Sequence, residues 1–133
     1  MGAFHHMIIC VTDIERSRAA YAWLMPEVGF PKRMDYPPST GWEGDVHRFW
    51  IRPQDPRFVS DPPFSKDRVG LCEICFQALL RAAVDALARV LPDHGFPILH
   101  PPKEYPYGPG YYAVFFSDPD GIKLEYAFIG DAP

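Results

Sequence analysis

Polar and apolar residues alternate in three well-separated stretches of the chain. In His6-Met7-Ile8-Ile9-Cys10-Val11, Met7, Ile9 and Val11 form an apolar row, while His6 points to the other side with Ile8 and Cys10. In Glu73-Ile74-Cys75-Phe76-Gln77-Ala78, Ile74, Phe76 and Ala78 share one side, and Glu73, Cys75 and Gln77 the other. Near the end, Leu124, Tyr126 and Phe128 oppose Lys123, Glu125 and Ala127. Successive side chains of a strand point to opposite faces, so each stretch predicts a strand with an apolar row for helix packing. The opposite row of each aims one potential metal ligand or acid/base group away from that packed face: His6, Glu73 and Glu125.

Between these strands the period changes. Asp13 can cap a helix whose apolar positions Ile14, Tyr21, Leu24 and Met25 recur at helical spacing until Pro26 and Gly29 stop it. A second helix is predicted from about Leu80 to Asp93, with Val84, Leu87 and Leu91 on one face and His94-Gly95 closing it. Short strands are expected from Lys32 to Pro53, and a surface linker from Pro53 to Lys66, where Pro53, Pro56, Pro62 and Pro63 remove backbone donors. Pro101 to Tyr112 reads as an aromatic, proline-stiffened loop before a strand Ala113 to Ser117. Asp118-Pro119-Asp120-Gly121 is a type I turn signal feeding the last strand.

This order occurs twice. Strand, helix and Gly29-Phe30-Pro31 in the first half answer strand, helix and Gly95-Phe96-Pro97 in the second, and aligning His6 with Glu73 brings the triplets into register with a one-residue slip. The layout is that of an internal duplication.

Composition narrows the function classes. A chain of 133 residues, 47% hydrophobic and 23% charged, suits one globular domain with a real core. Thirteen basic against seventeen acidic residues give a net charge of −4 without a basic run, which argues against nucleic acid and anionic membranes as partners. No stretch has the apolar length of a membrane span, and a cytoplasmic location is the expectation. Cys10, Cys72 and Cys75 are odd in number and read as small buried hydrophobes of strand interiors, with Cys10 and Cys75 as alternative pocket lining.

His6 leading into Val11-Thr12-Asp13, a helix bearing Tyr21, Gly29-Phe30, the segment Glu73 to Ala78 and the terminal Asp-Pro-Asp-Gly-x-x-x-Glu together resemble the vicinal oxygen chelate superfamily, the glyoxalase, bleomycin-resistance and extradiol dioxygenase group. The resemblance runs from about His5 to Phe128, and the terminal motif is its most specific part. It implies an α+β fold of two paired βαβββ modules forming a cupped, mostly antiparallel sheet with helices outside. The modules would span about 4–52 and 69–128 of a single domain, with a linker at about 53–68. It also implies a small organic substrate and a homodimer.

The resemblance places His6, Glu73 and Glu125 at the ligand sites of the first, fifth and last strands, which in the family most often read His, His, Glu. One histidine and two carboxylates suit a divalent ion such as Mn, Zn, Ni, Fe or Mg. The implied reading is a glyoxalase-like enzyme in which the ion polarises vicinal substrate oxygens, Glu125 is a ligand and Glu73 a ligand or base. The alternative is a metal-free binding protein of the bleomycin-resistance type, with Glu73 bonded to His6 or Lys123. Extradiol ring cleavage fits less well, because Glu73 stands where a second histidine is usual. His47 reads as a surface or pocket-edge residue, and His5 and His100 are not favoured ligands. Arg48, Trp50, Tyr107, Tyr112 and Lys123 are the candidate substrate-pocket residues, with Arg48 and Lys123 placed to hold a carboxylate or phosphate.

Overall fold

The computed structural model describes residues 2–59 and 61–130. The chain divides into two compact units, Met1–Pro63 and Phe64–Pro133, and each contains one four-stranded sheet and one helix. No helix among the described residues is long and apolar enough to cross a membrane.

The first unit runs β1 (His6–Val11), α1 (Ile14–Glu27), β2 (Lys32–Tyr36), β3 (Ser39–Glu43) and β4 (Arg48–Pro53), with sheet order β1-β4-β3-β2. Asp13 caps α1 by accepting the Arg16 backbone N–H at 3.1 Å, as its short carboxylate at an extended position predicts. Ser17, Ala20, Tyr21, Leu24 and Met25 recur every three or four residues and form the buried stripe of that helix. Pro26 does not stop it. The helix continues to Glu27 and the chain turns out at Gly29, whose φ of 101° is open to glycine at no steric cost. Tyr21 is fully buried, its ring 5.2 Å from Phe49 and 6.4 Å from Trp42, so α1 covers the sheet face carrying Ile9, Val11, Trp42, Phe49 and Ile51. The apolar row of β1 is buried only from Ile9 onward, and Met7 is exposed.

The second unit repeats the plan with β5 (Ile74–Ala78), α2 (Arg81–Val90), β6 (Ile98–Glu104), β7 (Tyr112–Ser117) and β8 (Lys123–Phe128), in sheet order β5-β8-β7-β6. Val84 and Leu87 of α2, and Leu91 in the 3-10 turn after it, meet Ile74, Phe76, Phe96, Val114, Phe116 and Leu124 in the core. Gly95 closes this helical segment in the left-handed region, at φ 89°. In both units a helix crosses between strands and the first strand pairs in parallel with the last, β1 with β4 and β5 with β8. The fold is therefore α+β, built of two βαβββ modules with one helix on one face of each sheet.

Pro101 and Pro102 lie in β6 and not in a loop. They are tolerated because β6 is an edge strand whose pairing with β7 shifts register between Ile98 and His100 and again between His100 and Lys103, so the missing N–H groups have no partner to disappoint. Cys10 and Cys72 are exposed rather than buried, and Cys75, exposed as a residue, keeps a part-buried thiol 3.7 Å from the Phe76 carbonyl. Cys72 precedes β5, and Cys10 and Cys75 point to the sheet faces that the helices leave uncovered.

The turn before β8 is held by Asp118. Only 2% exposed, its Oδ1 accepts the backbone N–H of Asp120 at 2.8 Å and of Ile122 at 2.9 Å, while Gly121 N–H returns to the Asp118 carbonyl at 3.0 Å. Hydrogen bonds to a charged acceptor contribute more than neutral ones. Asp118→Ala is expected to lower the unfolding free energy by about 2–3 kcal/mol, read from the urea midpoint at constant slope. An unchanged midpoint would show that the turn forms without its carboxylate.

Candidate functional site

The uncovered face of the first sheet is set by register. His6 pairs with Arg48, Ile8 with Trp50 and Cys10 with Arg52 across the parallel β1/β4 ladder, and Gly41 of β3 lies opposite Trp50 on the other side. A Cβ at Gly41 would clash with the Trp50 ring atoms Cδ2, Cε3 and Cε2, so the indole packs against the bare backbone of its neighbour. Above this floor is a cavity of about 410 Å³ lined by His5, His6, Ile8, Tyr36, Ser39, Arg48, Trp50 and Arg52.

Its polar wall is a chain of donors and acceptors. Arg48 Nη2 donates to Glu43 at 2.8 Å, and Lys32 also reaches Glu43 at 3.5 Å. Arg48 Nη1 meets His5 Nε2 at 2.6 Å, and His5 Nδ1 lies 2.9 Å from His6 Nδ1. A guanidinium can only donate, so His5 Nε2 accepts. With both imidazoles neutral, His5 Nδ1–H then donates to His6 Nδ1, and His6 is left with its proton on Nε2. His6 in this tautomer is a hydrogen-bond donor. His47 is at the surface, 2.7 Å from the Phe4 carbonyl through Nδ1. His5, not a favoured ligand from sequence, lines the cavity; it precedes β1 and so is not bound by the strand's alternation.

The second unit carries the carboxylates. Glu125 on β8 is 3% exposed, pairs with Cys75 of β5 and Phe115 of β7, and accepts a short hydrogen bond from the Tyr111 hydroxyl. Burial pushes the Glu125 carboxyl above its usual range, and the Glu73 charge adds to this, while the Tyr111 hydrogen bond pulls it down. The same desolvation, with Glu125 nearby, pushes the Cys75 thiol up to about 12 and raises the Tyr111 phenol. A thiol held protonated in this way is a poor nucleophile. Glu73 is engaged by Lys123 at 3.7 Å, and the Lys123 ammonium also lies 4.6 Å from the centre of the Phe115 ring.

The segment from Tyr105 to Tyr111 folds back on itself, Tyr105 N–H to the Tyr111 carbonyl at 3.1 Å and Tyr111 N–H to Gly108 at 3.2 Å. Tyr107 stacks on Tyr105 at 5.3 Å and meets Tyr111 edge-on, while Tyr105 meets Phe115 edge-on at 5.2 Å. Tyr105 and Tyr111 thereby pack on Ala113, Phe115 and Ala127, the apolar patch beside Glu125. Tyr112 lies elsewhere. Strand alternation turns it to the helix side, where its hydroxyl donates to Asp85 at 2.6 Å and Arg81 lies 4.2 Å over its ring, so it is not a pocket residue of this sheet face.

Of the residues singled out from sequence, His6, Arg48 and Trp50 come together in the first unit, and Glu73, Glu125, Lys123 and Tyr107 gather around one sheet face of the second. Arg52 and Tyr36 in the cavity and the Tyr111 partnership of Glu125 escaped sequence reasoning. Arg52 could have been found by extending the Arg48, Trp50 row by two residues. Among the described residues, no three His, Cys, Asp or Glu side chains group as a metal site.

The sequence model of the Glyoxalase/Bleomycin resistance protein/Dioxygenase superfamily matches residues 3–126, and the chain belongs to that family. It is 32% identical over 126 residues to the uncharacterised protein YqjT of Bacillus subtilis (strain 168), covering 91% of this chain and 94% of that one. Among solved structures it is similar to a candidate glyoxalase from Bacillus halodurans, with 33% identity, a TM-score of 0.83 and 96% of each chain covered. A glyoxalase/bleomycin resistance protein from Albidiferax ferrireducens T118 shares the fold at 20% identity and a TM-score of 0.75, over 94% of this chain and 97% of that one. The scaffold hosts several chemistries, so membership defines the class of protein and leaves the reaction to the side chains.

The Glu125 environment has a pH signature. A carboxyl with a raised pKa in the folded state binds its proton more tightly there than when unfolded, so its ionisation costs stability as pH rises from the ordinary carboxylate value through the folded one. Glu125→Gln keeps an acceptor for Tyr111 but cannot ionise. Its melting temperature should exceed that of the parent at pH 8, and the gap should close toward pH 4. A difference independent of pH would show that the carboxyl is well solvated.

Proposed function

We propose that this chain is a small-molecule-binding member of its family whose ligand occupies the cavity over the first sheet. The cavity carries the reading: its volume of about 410 Å³ and its mixture of Trp50 and Ile8 with a few convergent polar groups match the usual design of a small-ligand site.

A second reading is glyoxalase-like chemistry with a divalent ion, Mn, Zn, Ni, Fe or Mg, held by His6, Glu73 and Glu125. It is favoured by His6 lining the cavity and by a buried acid on the last strand. The donors as they stand do not fit a resident ion. His6 Nδ1 lies against His5, Glu125 accepts from Tyr111 and Glu73 is engaged by Lys123, so a cation bound through these atoms would have to displace a partner from each.

Thermal denaturation separates the two readings. An organic ligand at a hundred times its dissociation constant stabilises the folded state by about 2.7 kcal/mol, a shift of several degrees. Such a shift is expected from at least one member of a screen of aromatic and acidic metabolites in the presence of EDTA. Mn²⁺, Ni²⁺, Zn²⁺ and Fe²⁺ are expected to leave the midpoint unchanged at pH 7.5. A rise with metal that Glu125→Ala removes would transfer the assignment to the glyoxalase-like enzyme.

The same reading takes the chain to be a homodimer in the cytoplasm. Edge strand β1 leaves Met7 exposed on the side away from the cavity, an apolar position that a second copy could cover. Light scattering at micromolar concentration is expected to give twice the 15.1 kDa chain mass, and a monomer would remove the dimer from the reading.

A further inference from the structure

We infer that the cavity over the first sheet selects an aromatic carboxylate, with Trp50 as the platform for the ring and Arg52 as the anion-holding, specificity-determining residue. The inference rests on the binding reading above and names the chemical class of its ligand.

Charge comes first. The lining contains two guanidinium groups and two imidazoles and no carboxylate, in a chain whose net charge is −4. The two arginines are not equivalent. Arg48 is already compensated by Glu43 and tied to His5, so its charge and two of its donors are committed to the protein. Among the described residues, the Arg52 guanidinium has no hydrogen-bond or ion-pair partner, and it lines the same cavity two residues along the strand on the same face. One free planar fork of donors matches a planar carboxylate through two parallel hydrogen bonds. The His6 ring adds a hydrogen-bonding group to the wall, a donor through Nε2 when both imidazoles are neutral.

Shape comes second. Because Gly41 has no side chain, Trp50 packs against the backbone of β3, with the ring contributing to the cavity floor. Ile8, its partner in the parallel register, extends that floor, and the exposed Tyr36 provides a second ring at the lining. A flat apolar surface with a free guanidinium at one end receives a ring and a carboxylate together, the ring by offset stacking and the anion by the fork. An inorganic anion would use the arginine and waste the platform.

The test is a titration of the full-length chain with 2-naphthoate, 2-naphthamide and inorganic phosphate, followed by quenching of tryptophan fluorescence and by calorimetry at low salt. Naphthoate is expected to bind at least tenfold more tightly than the uncharged amide, and phosphate is expected not to displace it. Arg52→Met keeps the length and apolar stem of an exposed side chain; it should remove the preference for naphthoate over naphthamide while the melting temperature stays within a degree of the parent. Trp50→Leu should weaken naphthoate at least tenfold by calorimetry. Equal affinity for naphthoate and naphthamide, or an Arg52→Met chain that still prefers the acid, overturns the inference. If naphthoate fails to bind while uncharged compounds from the screen do, the anion assignment falls and the binding function stands. If nothing in the screen binds, both fall.

Discussion

The parallel pairing of the first and last strand in each unit decides which side chains meet. The strand after each helix, β2 or β6, lies at the far edge of the sheet from β1 or β5, so α1 and α2 must cross one face of each sheet to reach it and leave room for the last strand beside the first. Once the helix occupies one face, the apolar rows Ile9-Val11 and Phe49-Ile51, or Ile74-Phe76-Ala78 and Leu124-Tyr126, have nowhere else to go. Alternation then commits the remaining residues to the uncovered face, and register matches them one to one: His6 beside Arg48, Ile8 beside Trp50, Cys75 beside Glu125. A slip of one residue would exchange these rows with the core, which is why burial of one face specifies the contents of the other.

The two uncovered faces, built on one plan, have opposite chemistry. The first holds cations and donors around a tryptophan, with the neighbouring acid Glu43 drawn off by Arg48 and Lys32. The second holds acids in an apolar, tyrosine-rich setting: Glu125 under Tyr111, Glu73 against Lys123, Cys75 kept protonated by burial. Desolvation around Glu125 raises the cost of its charge, and Glu125 and Glu73 are met by a hydroxyl and an ammonium. In the first unit the cavity leaves the Arg52 charge without a countercharge among the described residues. An uncompensated cation next to a flat ring is the simplest basis for ligand discrimination in the chain, because a ligand can supply the partner that the protein withholds.

Much of this was legible in the sequence. The period-two rows at 6–11, 73–78 and 123–128, the Asp13 cap, the Gly29 and Gly95 exits and the Asp118-Pro119-Asp120-Gly121 turn are local signals, each set by dihedral preference or short-range hydrogen bonding. They marked a repeated strand-helix layout and, through alternation, turned His6 and Glu125 away from the helices, while the βαβββ plan itself came with the family resemblance. Where local signals misled, a neighbour was the reason. Pro101 and Pro102 read as a loop because a proline lacks its donor, but an edge strand with shifted register asks for none. Tyr112 read as pocket, but Asp85 and Arg81 of α2 hold it on the other face.

Tertiary structure alone decided which partner each polar group takes. Sequence offers Glu73 both His6 and Lys123, and offers Glu125 a metal or a proton; contact geometry joins Glu73 to Lys123 and Glu125 to Tyr111, fourteen residues earlier in the chain. It also decided that Arg48 is spent on Glu43 and His5 while Arg52 has no hydrogen-bond or ion-pair partner among the described residues. The physical reason is that strand propensity and alternation act over neighbouring residues, whereas hydrogen bonding and desolvation act over a few ångströms between side chains whose separation along the chain carries no signal. The sequence by itself determined the faces; only the folded chain decided which charges on them are already answered.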